Sequence, residues 1–235
     1  MNKLIITFLL LAADILNQGF SQTIDFIKIF GDNWDKAISF EKDNREWMKV
    51  ITERNHISYP VAVAVIFPEL IRYSALREKM EVSLLKTLYI NLGDTYADFS
   101  VGVFQIKPSF AENLRKQLPR GMSRRDRGSF RDPSSFSDVS DFRKDIVAGL
   151  EDPAREMKYL VAFILLCEKK YGISYMDEEE KVRFLATSYN YGIKCDKESI
   201  LAMEPKKYFN AKLFKTENYC YSDVALFWYK LNQHK

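Results

Sequence analysis

Apolar residues recur three and four positions apart through most of this chain, and few segments alternate with period two. That spacing lays an apolar stripe along a helix and does not suit a half-buried strand, so it predicts a mainly α fold. Residues 24–30 and 34–51 read as N-terminal helices. Pro60 suits a helix start, and 61–67 continue it. Pro68 has no amide hydrogen, so it should break or kink that helix just before Glu69. Further helices are expected over 76–92, stopped by Gly93, over 109–118, from Asp152-Pro153 to about Tyr171, and over 177–189, ended by Asn190-Tyr191-Gly192. Residues 119–141 are rich in Arg, Ser, Gly and Asp and read as a loop, mobile in character. The aromatic tail, 208–231, should pack on the body. No internal repeat and no linker divides the chain.

The first positions suggest export. Met1-Asn2-Lys3 is a short basic start, Leu4 to Ala13 is nearly unbroken apolar sequence, and Gly19-Phe20-Ser21-Gln22 offers small residues two apart. This is a secretory signal pattern, with cleavage expected after Ser21 and a mature chain beginning near Gln22. The apolar run of about 10 residues is well short of the ~20 that span a bilayer. No cysteine follows it closely, which argues against a lipoprotein. The expected division is 1–22 signal peptide, 23–58 N-terminal helical extension and 59–235 main domain. The mature chain is long enough for one domain with a sizeable core. A net charge of +3 is mild and fits contact with an acidic polymer without demanding one.

Cys167 lies in an apolar run and reads as a small core residue. Cys195 and Cys220 lie in polar stretches, where an exported protein can keep a disulfide between them. His56 and His234 are far apart and no Cys-x-x-Cys occurs, so no zinc site is expected.

Glu69 closes the run Ala64-Val65-Ile66-Phe67-Pro68, a lone carboxylate at the edge of apolar sequence. A carboxyl group held against apolar side chains keeps its proton to higher pH than in water. That makes it a usable general acid, as glycosidic cleavage requires. The bland alternative is an ion pair with Arg72, three residues on along the same helix. Downstream lie Gly102-Val103-Phe104-Gln105-Ile106-Lys107-Pro108 and Ser188-Tyr189-Asn190-Tyr191-Gly192. Asp94 and Asp98 read as turn and cap residues, or as the second carboxylate of an inverting hydrolase, with Asp94 the better placed. The arginines of 120–131 read as a solvated loop or a contact for anionic wall polymer. They lack the aromatic interleaving of a nucleic-acid surface.

In that order, the three signatures resemble the lytic transglycosylase and goose-type lysozyme superfamily, whose members have an all-helical lysozyme-like fold and cleave the glycan strands of peptidoglycan. The first is a Pro-led apolar helix ending in the catalytic glutamate, here 64–69 with Pro60 upstream. The second is the Gly-Leu-Met-Gln type of turn, here Gly102-Val103-Phe104-Gln105. The third is Ala-Tyr-Asn-Ala-Gly at a helix end, here Ser188 to Gly192. A softer match runs from Asp152-Pro153 to Tyr159-Leu160. The likeness covers about 59–193. It departs at Leu70, where the family usually has a Ser that orients the carboxyl, and at Pro68. The run from Gly93-Asp94 through Phe99 to Gln105 is closer to the goose-type pattern.

The resemblance implies Glu69 as the acid, Tyr189 beside it, and Gln105, Phe104, Ser188 and Asn190 as substrate-binding residues. It implies Asp94 as the residue placing water if the enzyme is a hydrolase. It implies peptidoglycan as the partner, and no metal or organic cofactor. A transglycosylase would use the sugar's own C6 hydroxyl and release a 1,6-anhydro product. The alternatives are a goose-type hydrolytic lysozyme, or a non-catalytic wall-binding protein on the same fold.

Overall fold

The computed structural model describes residues 24–76, 82–210 and 217–234, so the expected signal segment lies outside the described residues. The fold is mainly helical. In chain order the helices are α1 (Phe26–Phe30), α2 (Asp32–Arg54), α3 (Tyr59–Leu76), α4 (Val82–Leu92), α5 (Pro108–Lys116), α6 (Arg124–Arg127), α7 (Val139–Leu150), α8 (Pro153–Tyr171), α9 (Glu178–Tyr191), α10 (Lys197–Met203) and α11 (Tyr221–Asn232). Two short antiparallel strands, β1 (Lys207–Phe209) and β2 (Tyr219–Cys220), precede α11.

Helix α3 is the axis of the molecule. Val61 to Phe67, Leu70 and Ile71 are all buried, so the helix is apolar on every side, the pattern of a helix enclosed by others. Helices α2, α9 and α11 pack around it. Phe67 takes Trp34 edge-on at 4.7 Å and stacks on Trp228 at 5.3 Å. Burying a side chain of this size contributes about 2–3 kcal/mol. Phe26 and Phe30 of α1 meet Tyr219 from β2, and Phe26 meets Phe227 from α11, so the aromatic tail does pack on the body.

Other helix boundaries follow local chemistry. Asp152 caps α8 by accepting from the Ala154 amide at 2.9 Å, Pro153 fills the first turn, and Gly172 at φ 60° ends it. Asp177 caps α9, whose first turn carries three glutamates facing the positive end of the helix dipole. The described part of the expected 76–92 helix is α4, and residues 77–81 lie outside the described residues.

Three expectations are corrected. Pro68 does not break its helix: α3 runs through it to Leu76. The enclosing helices hold the backbone in place, and the Tyr221 hydroxyl donates to the carbonyl of Val65, beside the proline, at 3.1 Å. Residues 119–141 form a loop for most of their length, as expected, but one with short helical turns and an anchor rather than a mobile one. They hold α6 and a 3₁₀ turn (Pro133–Ser135), and Asp126, 1% exposed, ties them to the body. It bonds Arg54 Nη1, Asn55 Nδ2 and Ser123 Oγ at 2.8, 2.8 and 2.7 Å. The disulfide between Cys195 and Cys220 is not formed; both thiols are free, and that of Cys220 donates to the Pro205 carbonyl at 3.2 Å.

Candidate functional site

A cleft of about 320 Å³ opens between α3, the turn at 100–107, the start of α5 and the end of α9. Glu69, Gln105, Tyr189 and Asn190, drawn from all three sequence signatures, line it together. Arg72, Asn113, Lys194 and Cys195 complete much of its polar wall.

Glu69 projects from the middle of α3 and is 3% exposed. Its Oε1 accepts from Asn190 Nδ2 at 3.2 Å, across 121 positions of sequence. Nη1 of Arg72 lies 2.8 and 2.9 Å from its two oxygens. The guanidinium is itself seated over the Phe209 ring at 4.8 Å, a cation–π contact that orients it. Burial raises the pKa of Glu69 above the usual carboxylate range, outweighing the opposing pull of Arg72, Asn190 and Tyr221. The ion pair and the cleft position therefore coexist, and Arg72 compensates part of the cost of enclosing the charge.

The opposite wall is the Gly102–Gln105 turn, closed by paired hydrogen bonds between Val101 and Ile106. Gly102 has φ 72°, and Gln105 has φ 53°, a strained value for a residue with a side chain. Gln105 Nε2 donates to the Gly102 carbonyl at 2.8 Å, which fixes its side chain on the cleft surface. A Cβ on Gly102 would lie 2.1 Å from the Leu150 carbonyl oxygen and 2.3 Å from Glu156 Oε1, so glycine is required.

Tyr189 joins the two walls. Its hydroxyl donates to the Phe104 carbonyl at 2.9 Å, and its ring packs edge-on against Phe110 and Phe163. Burial, then the nearby Glu69 and Glu156 carboxyls, push its pKa well above the usual tyrosine value, so it stays a neutral donor.

The remaining expected residues lie elsewhere. Phe104 is fully buried and touches the site through its backbone carbonyl. Ser188 is fully buried against Cys167, with Oγ and Sγ 3.7 Å apart. Asp94 is exposed and does not line the cleft. Asp98 accepts from the Ser109 amide at 3.3 Å at the start of α5 and pairs with Lys107 at 3.5 Å.

Sequence reasoning missed Glu156. This carboxyl is 0% exposed on the first turn of α8, and it accepts the amides of Val103 and Phe104 at 3.0 Å each. It holds the Gly102 turn from behind. Burial raises its pKa well above the usual range against the pull of those two amides. The softer motif at Asp152-Pro153 was the available signal, because it starts the helix that carries Glu156. Tyr221 was also missed, and nothing local marks a tail tyrosine as a partner of α3. No family model, no curated protein and no solved structure matches this chain, so the geometry of the cleft carries the functional reading.

Proposed function

We propose that this protein cleaves glycan strands of peptidoglycan on a lysozyme-like helical scaffold after export, with Glu69 as the general acid. The observation that carries the reading is a buried carboxyl at the wall of an open cleft, its pKa raised by burial, facing hydrogen-bonding side chains on two other elements. A proton on Glu69 passes to the oxygen bridging two sugars as that bond breaks. Gln105 and Asn190 offer amide groups to sugar hydroxyls, and the neutral Tyr189 hydroxyl steadies the wall between them. The resulting carboxylate, beside Arg72, then takes the proton of the attacking hydroxyl.

Among the described residues that line the cleft, Glu69 is the one carboxylate. This favours a lytic transglycosylase, in which the C6 hydroxyl attacks within the sugar, over an inverting hydrolase, which needs a second carboxylate roughly 6.5–9.5 Å away to activate water. The grip of Arg72 on both oxygens favours a second reading, a non-catalytic glycan-binding protein that uses the same cleft.

Digestion of purified peptidoglycan, followed by mass analysis of the sugar ends, separates these readings. Anhydro ends that persist in Asp94→Asn are expected for the transglycosylase. Reducing ends lost in Asp94→Asn would establish the hydrolase. Strand binding without any cleavage would establish the binding protein.

A further inference from the structure

The arginine-rich segment after α5 remains unused by the cleft, and its construction is unusual. A buried aspartate is costly unless its oxygens are well bonded, yet Asp126 is committed to fastening this segment to α2. The segment thereby becomes a fixed wall, and between it and the end of α5 lies a second cavity of about 450 Å³.

Arg115, Lys116, Arg127 and Arg131 line this cavity, against one lining carboxylate, Asp132. Arg115 is 3% exposed and forms its floor. Its Nη1 bonds Asp145 at 2.8 Å, its Nη2 donates to the Arg131 carbonyl, and its guanidinium lies over the rings of Phe130 and Phe142. Its Nε is buried with no hydrogen-bond partner among the described residues. Arg131 is fixed in turn over the Phe136 ring at 4.2 Å. Arg127 and Arg131 make no ion pair among the described residues, whereas Lys116 shares Glu112 at 3.5 Å. Arg115 is paired with Asp145, so the charge open to a ligand is that of Arg127, Arg131 and Lys116, three exposed side chains that line one space. A guanidinium fork matches the oxygens of a phosphate, and Arg131, stacked on Phe136, loses little freedom on binding one.

We propose that this pocket binds a phosphate group, free or as an ester, through Arg127, Arg131 and Lys116 over the Arg115 floor. A phosphate carries close to two negative charges at neutral pH, which suits a cavity where cations outnumber carboxylates better than a single carboxylate ligand does. The site is independent of the chemistry assigned to the cleft. Helix α5 carries Asn113 to the cleft and Lys116 to the pocket, so the two are neighbours on one element.

The test is isothermal titration of the full chain with inorganic phosphate, glycerol 3-phosphate and acetate at physiological ionic strength. Both phosphates should bind and acetate should not. The tighter of the two identifies the source, free phosphate or an ester. Arg127→Ala with Arg131→Ala should weaken binding by roughly tenfold or more, since charge-assisted forks are lost. Arg124→Ala with Arg125→Ala removes the same charge from exposed positions of the same segment that do not line the cavity. That pair should stay within about twofold, as expected of screened surface charges. Equal weakening in the two pairs would show only a diffuse positive field and overturn the proposal. Acetate binding as tightly as phosphate, or no heat with either phosphate, would overturn it as well. The glutamine versions of Arg127 and Arg131 keep a polar, hydrogen-bonding side chain without the charge and should reproduce the loss.

Discussion

Glu69 and Glu156 are the same residue type, both buried, both shifted upward by burial, and they serve opposite faces of one cleft wall system. They differ in their donors. Glu69 takes side-chain donors, Arg72 and Asn190, and lies on the cleft. Glu156 takes two main-chain amides and lies behind the turn. Side-chain donors can be exchanged for a substrate without refolding anything. Backbone donors cannot, because they are the structure. Burial alone thus does not tell a reactive carboxyl from a structural one; the identity and mobility of its donors do.

The largest effect that would break this contrast is on turnover. Glu69→Gln keeps the shape, leaves Arg72 and Asn190 one acceptor oxygen in place of two, and delivers no proton, so cleavage should fall roughly a hundredfold or more. The fold should be retained, as seen by an unchanged circular dichroism spectrum. Near wild-type digestion by this variant would make Glu69 structural too, and the contrast would vanish.

Gly102→Ala comes next. The added methyl must displace the Leu150 carbonyl or the Glu156 carboxyl at a position with φ 72°, at a cost of about 3 kcal/mol. Thermal unfolding measures it, and a melting temperature equal to wild type would mean the turn is not clamped.

Glu156→Gln sharpens the same point. Its NH₂ group would face a backbone amide, so a loss of about 2 kcal/mol is expected. The pH dependence carries the sign. The folded pKa of Glu156 is raised, so the stability linked to its proton is full at low pH and lost as pH rises through that pKa. The glutamine variant does not titrate there. The gap between the two proteins should therefore be widest at low pH and narrow as pH rises. A gap that widens instead would show that the two amides hold Glu156 ionised.

The smallest effect tests how α3 passes Pro68. Tyr221→Phe removes the hydroxyl that meets the Val65 carbonyl, and should cost about 1 kcal/mol in urea unfolding with an unchanged m-value. No change would mean that packing alone carries the helix through the proline.

The sequence by itself determined the helical class, because three-and-four spacing admits little else. It marked the start of α8 and both ends of α9, because Asp152, Asp177 and Gly192 act on their own neighbours in the chain. It also picked out Glu69, Gln105, Tyr189 and Asn190, which share the cleft. The tertiary structure decided everything that depends on distant partners. Pro68 signals a break when judged from its own amide, yet α2, α9 and α11 enclose α3 and keep it continuous. The 119–141 segment has loop composition, yet the buried Asp126 anchors it to residues about 70 positions earlier. Asp152-Pro153 marks the helix that carries Glu156 but not the role of Glu156, which exists only where the 102–105 turn is folded against α8. Capping and periodicity are short-range effects and leave their trace in adjacent letters. Burial, clamping and the choice of donors arise between segments far apart in the chain, and only the folded molecule brings those segments together.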